Sequence, residues 1–162
     1  SKPSLLDWPA HARRQAASRP DAVVMFIGAN DGFAMGDAPC CGAPWVAEYA
    51  RRARAMMRSY ARGGRARVYW LLLPAARSGI FRETFPAVNA GIRLAAQGRG
   101  DDVRLIELDE FFTPGGRYRG SMEVGGKVVR VRQDDGVHLN TTGASLAATL
   151  IARAMRQDRL LP

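Results

Sequence analysis

"VVMFIGANDGFAM", Val23 to Met35, is a run of apolar side chains that breaks into Gly28-Ala29-Asn30-Asp31-Gly32. A short, wholly apolar segment rich in β-branched residues and bounded by turn formers reads as a buried strand, here Ala22 to Ile27. The turn after it is explained locally, because Gly and Asn tolerate left-handed backbone and an Asx side chain can satisfy nearby N–H groups. Whether the turn also does chemistry depends on what the rest of the chain brings to the same edge.

Working outward, Asp7 to Ser18 reads as a helix closed by Arg19-Pro20. After the turn, Pro44 opens a long helix that Gly63-Gly64 closes. It carries Trp45, Val46, Tyr49, Ala53, Met56, Met57 and Tyr60 on one face, with Arg51, Arg54, Arg58 and Arg62 largely opposite. Val68 to Leu73 and Val103 to Leu108 are two further buried strands. The helix between them, with Val88, Ile92 and Ala95 inward, is expected to start near Thr84, because Pro86 fits a first turn. Arg117 to Gln133 alternates around Gly125-Gly126 as a β-hairpin. The last helix opens at Asn140 to Thr142 and buries Leu146, Leu150 and Ile151. Strands alternating with helices give an α/β domain with a parallel sheet and helices on both faces, in which ligands sit beyond the carboxyl ends of the strands.

The 162 residues, 47% of them hydrophobic, suit one domain with a sizeable core. A net charge of +9 would favour an anionic partner if it were clustered. It is spread: lysine occurs only at Lys2 and Lys127, so arginine supplies 22 of the 24 basic residues, scattered over helix-like segments. With no nucleic-acid-binding motif, these read as solvated helix faces. Arg117, Arg119, Arg130 and Arg132 flank the hairpin and would line one face if they alternate along its strands, the one arrangement that would suit an anionic polymer. Cys40 and Cys41 are adjacent, a spacing that strains any bond between them, and with only His11 and His138 besides they offer no zinc-site spacing. There is no cofactor motif, no apolar stretch of about 20 residues and no signal peptide.

Two stretches can carry chemistry: Gly28-Ala29-Asn30-Asp31 after the first strand, and Asp135-Gly136-Val137-His138 before the last helix. A carboxylate three residues before an imidazole can fold onto one ring nitrogen, fix the tautomer and leave the other nitrogen as a base. Taken in this order, the two stretches resemble the Gly-x-Asn-Asp and Asp-x-x-His blocks of the SGNH hydrolases, the GDSL-type esterases and lipases. The resemblance runs from about Asp7 to Met155, and "LLDWPAHARRQAASRPDAVVMFIGANDG" with "DDGVHLNTTGASLAA" resembles a bacterial, envelope-associated branch. It implies a flavodoxin-like three-layer sandwich and a serine esterase acting on small-molecule or glycan esters, O-acetylated envelope glycans among them, in the periplasm or cell envelope. It also implies His138 as general base, Asp135 as its orienting partner, Asn30 and Gly28 at an oxyanion hole, and Asp31 bracing the loop.

The family's Gly-Asp-Ser nucleophile block is absent. Gly36-Asp37-Ala38 has alanine at the serine position and comes after the Asn block; among the serines, Ser78 has the best location, after a parallel strand. In the family's strand order, 2-1-3-4-5, the strands here are the third, fourth and fifth, so Ala22 to Ile27 would expose an unpaired apolar edge. The expectation is a carboxyl-terminal portion of one SGNH-like domain, completed by an amino-terminal fragment or second chain that carries two strands and the serine, and inactive alone. A non-catalytic binding module of the same fold is the alternative.

Overall fold

In a computed structural model, which describes residues 6–77, 79 and 81–162, the chain folds as three layers. Ser78, the best-placed serine, lies outside the described residues. The order is α1 (Trp8–Ala16), β1 (Ala22–Met25), α2 (Ala43–Ala61), β2 (Arg67–Leu71), α3 (Phe81–Ala96), β3 (Val103–Ile106), α4 (Leu108–Phe112), a 3-10 turn (Pro114–Gly116), β4 (Ser121–Val124), β5 (Lys127–Arg130) and α5 (Thr141–Gln157). β1, β2 and β3 form a parallel sheet in that order, with Val23 opposite Val68 and Val68 opposite Val103. β4 and β5 pair antiparallel across Gly125-Gly126, both at positive φ, as that dipeptide predicts.

Caps and stops act where the sequence puts them. Asp7 Oδ1 accepts from the Ala10 amide at 3.0 Å, and Asn140 Oδ1 from Gly143 at 2.9 Å. On α2 the apolar face is buried as expected, except that Val46 is half-buried; Trp45 stacks on Tyr49 at 5.1 Å. The central strand β2 is covered on both sides. Val68, Trp70 and Leu72 pack with α1, α2 and α3, whereas Tyr69 and Leu71 pack with α4 and α5. This double burial is why parallel strands read as continuous apolar runs. β1 is covered on one side only: Met25 is buried beneath α2, but Val24 is 43% and Phe26 47% exposed.

Three expectations need correction. α3 begins at Phe81, a turn before Thr84, so Pro86 lies inside the helix, where its missing N–H forfeits a bond to the Arg82 carbonyl. The contact of Phe81 with Phe85 at 5.3 Å and the burial of Thr84 and Phe85 extend the helix past that penalty. Each parallel strand stops two residues before its expected end, at Met25, Leu71 and Ile106, and Leu108 opens α4. On α5 the closely packed residues are Gly143, Ala147 and Ala154, with Leu146, Leu150 and Ile151 half-buried. A Cβ on Gly143 would collide with the Val131 carbonyl oxygen, so this glycine lets the helix start lie directly on the chain beyond β5.

Candidate active site

The turn after β1 closes with the Asp31 amide donating to the Gly28 carbonyl at 3.0 Å. Gly28 has φ of +120°, and a Cβ there would stand 2.7 Å from Val88 Cγ1 and 3.0 Å from the Tyr49 hydroxyl. Its missing side chain therefore makes room for α2 and α3 under the turn. Asp31 is buried and accepts from the Tyr49 hydroxyl at 3.2 Å, which fastens the turn to α2; burial pushes that phenol's pKa up. The Asn30 side chain, by contrast, is exposed and makes no hydrogen bond to the described residues, so its amide is available to a ligand.

The second stretch is a tight turn organised by one carboxylate. Asp135 Oδ1 accepts from the amides of Val137 at 2.8 Å and His138 at 3.0 Å, and Oδ2 lies 2.6 Å from His138 Nδ1. The His138 contact, followed by the two amides, holds the Asp135 carboxyl well below the usual carboxylate range. With Nδ1 directed at Asp135 and the imidazole side chain 70% exposed, Nε2 is the nitrogen left to accept a proton.

What fastens this turn to the sheet was not visible in the motif. Arg132, 1% exposed, donates from Nη1 to the Val137 carbonyl and from Nη2 to the Ala75 carbonyl, both at 2.6 Å, with its guanidinium 5.6 Å from the centre of the Tyr118 ring. The Arg77 amide donates to the Gly136 carbonyl at 3.0 Å. Both bonds tie the histidine turn to the segment after β2. The end of β2 is held in turn by Asn89, whose side chain accepts from the Leu73 amide at 2.8 Å and donates to the Leu73 carbonyl at 2.9 Å. A polar residue four positions from Phe85 on the apolar stripe of α3 was the sequence signal for it. The Gly28 turn follows β1 and the histidine turn is bonded to Ala75 and Arg77 beyond β2, so both stretches lie at the carboxyl end of the sheet.

The buried Arg132 also removes the hairpin stripe. Arg130 pairs with Asp134, Arg132 is inside, and Arg117 and Arg119 precede β4, so the four do not form one cationic face. Gly36-Asp37-Ala38 forms a small loop closed by Met35 and Ala38. Cys40 and Cys41 are joined to each other by a disulfide, half-buried against the core before α2. The hydroxyls of Ser59 and Ser145 donate to carbonyls of their own helices, that of Ser18 donates to the Gln15 carbonyl at the end of α1, and no serine among the described residues hydrogen-bonds to His138. Two cavities flank the site. One of about 390 Å³ lies between α1, α2 and the sheet, and one of about 600 Å³ lies beside Leu73, Arg77, Phe85 and Tyr118. Neither is lined by His138 or Asn30, which stand on open surface.

The family model described as "Protein of unknown function (DUF459)" matches residues 1–154. The chain belongs to this family. Among solved structures, the DUF459 chain is similar to the lipase/acylhydrolase from Enterococcus faecalis, with a TM-score of 0.58 and 24% identity over 88% of the chain and 64% of that protein. That likeness is one of fold: an α/β arrangement with a parallel sheet. The DUF459 chain thus spans under two thirds of this neighbour's length. No curated protein matches it.

Proposed function

We propose that this chain supplies the general base and part of the oxyanion hole of a serine ester hydrolase whose nucleophilic serine lies on another segment. The observation that carries the reading is the 2.6 Å contact between Asp135 Oδ2 and His138 Nδ1 on an otherwise exposed imidazole. Serving no core, a histidine fixed in one tautomer with Nε2 open to solvent is arranged to take a proton. In the proposed reaction, the serine Oγ attacks the ester carbonyl while His138 Nε2 accepts its proton. The Asn30 amide and the Gly28 backbone N–H face the developing oxyanion, an arrangement typically worth about 3 kcal/mol per donor. His138 then returns the proton to the leaving alcohol, and water hydrolyses the acyl-enzyme by the same base. Esters of envelope glycans, met in the periplasm, are the substrate class we propose from the family resemblance.

The test is hydrolysis of a chromogenic acetate ester. This chain alone should give no turnover above background, whereas the longer protein with its upstream segment should turn the ester over and lose at least about 10³-fold in rate in His138→Ala. Turnover by this chain alone that disappears in His138→Ala would place the nucleophile within it. The absence of a Gly-Asp-Ser block favours a second reading, a non-catalytic binding module of the same fold. An upstream sequence without that block would support it.

A further inference from the structure

The cavity of about 600 Å³ lies along α3, from Arg82 in its first turn to Arg93 in its last. At the α-helical rise that is roughly 16 Å of helix axis. α4 and the chain beyond β2 form the other walls, and the volume is that of an ordinary small-molecule site. One end is shared with the histidine turn. The Arg77 side chain lies across Gly136, where a Cβ would stand 2.6 Å from Arg77 Cβ and 2.8 Å from its Nε. Arg77 Nη2 donates to the Asp134 carbonyl at 2.5 Å, and Arg82 Nη2 to the Arg77 carbonyl at 3.1 Å.

Both bonds go to backbone carbonyls, and neither guanidinium is ion-paired among the described residues. Asp134, whose carboxyl feels Arg77 through space, pairs with Arg130 instead. Two exposed cations therefore meet at this end with their charge unspent. The other end differs. Arg93 is neutralised there by Glu107 at 2.6 Å and Asp109 at 2.9 Å, and the exposed Glu110 adds negative charge. Asp109 Oδ2 takes the bond from Arg93, whereas Asp109 Oδ1 is buried and accepts no hydrogen bond among the described residues. A buried carboxylate oxygen without a donor is costly, and a hydroxyl entering the cavity would satisfy it. Between the ends stands Tyr118, its ring held by the Arg132 guanidinium. A purely apolar chain lying here would strip water from charges at both ends, so a lipid acyl group does not fit.

We infer that this cavity binds a sugar unit bearing an anionic group. Arg77 and Arg82 hold the anion, a ring hydroxyl donates to Asp109 Oδ1, and Tyr118 lies against the ring. Guanidinia pair equally well with the oxygens of a carboxylate and of a phosphate, so a uronic acid and a sugar phosphate share the chemistry that this end recognises. Neither arginine belongs with the hairpin arginines that the sequence groups together; α3 and the chain beyond β2 bring them to the cavity. The inference rests on the proposed function only in making this charged sugar part of the ester on which His138 acts.

The experiment is calorimetric titration of this chain with trigalacturonate, glucose 6-phosphate, the neutral maltotriose and inorganic phosphate. One of the two charged sugars should bind at least about tenfold more tightly than maltotriose and than inorganic phosphate, and which of them does so names the anion as carboxylate or phosphate. Arg77→Ala and Arg82→Ala should each weaken that binding at least about tenfold. Arg58→Ala, at an exposed position of α2 outside the cavity, should leave it unchanged. Arg82 is exposed and its side chain bonds only to the Arg77 carbonyl, so Arg82→Ala keeps the fold, and unaltered binding by that variant would overturn the inference. Maltotriose binding as tightly as the charged sugars would overturn it, as would no binding of either charged sugar. Inorganic phosphate binding as tightly as both would reduce the cavity to an anion site without a sugar and overturn it too. Because binding is read without turnover, a charged sugar that binds while the longer protein hydrolyses no ester sinks only the proposed function. Ester turnover by the longer protein with no charged sugar bound sinks only this inference.

Discussion

Replacing Arg132 with alanine tests how the histidine turn is held. The side chain is 1% exposed and spans two carbonyls, Val137 in the turn and Ala75 beyond β2, each at 2.6 Å. Hydrogen bonds from a charged donor contribute about 1.5–3 kcal/mol each, so the two together give a gross loss of about 3–6 kcal/mol. Burying a guanidinium costs part of that; burial indeed lowers the pKa of Arg132. The expected net loss is about 2–4 kcal/mol, or roughly 5–15 °C in Tm for a chain of this size. Urea denaturation with an unchanged slope would measure it. Arg132→Lys, which can reach one carbonyl at a time, should recover about half. The pairing of Asp135 with His138, tracked by the Nδ1 proton in NMR spectra, should loosen in Arg132→Ala and survive in Arg130→Ala, because Arg130 pairs with Asp134 on the surface. A stability loss below about 0.5 kcal/mol, the range of ordinary surface changes, would refute the clamp.

The same geometry sets the outcome of other substitutions. Gly28→Ala should cost about 3 kcal/mol or more, since it combines a backbone near φ +120° with a Cβ 2.7 Å from Val88; Gly36→Ala, at φ +60° with nothing within 4 Å, should cost only about 1–2 kcal/mol. Thermal melts of the pair separate packing from backbone strain. Asn89→Leu leaves the buried Leu73 amide and carbonyl without their partner and should cost about 2–4 kcal/mol by denaturation. The depressed pKa of Asp135 means that its contribution to stability is present above the unfolded carboxyl value of about 4 and is lost as pH falls below it. The chain should therefore exceed Asp135→Asn in urea midpoint at pH 7, and the gap should begin to narrow below about pH 4 and go on narrowing toward the depressed folded-state value; a gap independent of pH would contradict the assignment.

What was legible in the sequence is what local chemistry decides. An apolar run ending in Gly-Ala-Asn-Asp, a Gly-Gly hairpin and an Asp placed to fold onto a His each carry their geometry within a few residues, and each formed as read. The residues whose roles were not legible answer to distant partners. Arg132 looks like a strand-flanking surface cation until the Ala75 carbonyl, 57 residues earlier, meets it. Pro86 argues for a later helix start until Phe85 finds a core to fill. Asn89 serves a backbone 16 residues away. In the candidate site, the pairing of Asp135 with His138 was readable from spacing. The means of fastening their turn to the sheet was not, because it belongs to tertiary contacts alone.

The central claim is that the base lies on this chain and the nucleophile does not. Labelling the longer protein with a serine-directed fluorophosphonate, and then mapping the labelled peptide, tests it most directly. The account predicts one labelled serine upstream of Ser1, with labelling lost in His138→Ala. A label on a serine of this chain, or an upstream label indifferent to His138, would contradict it.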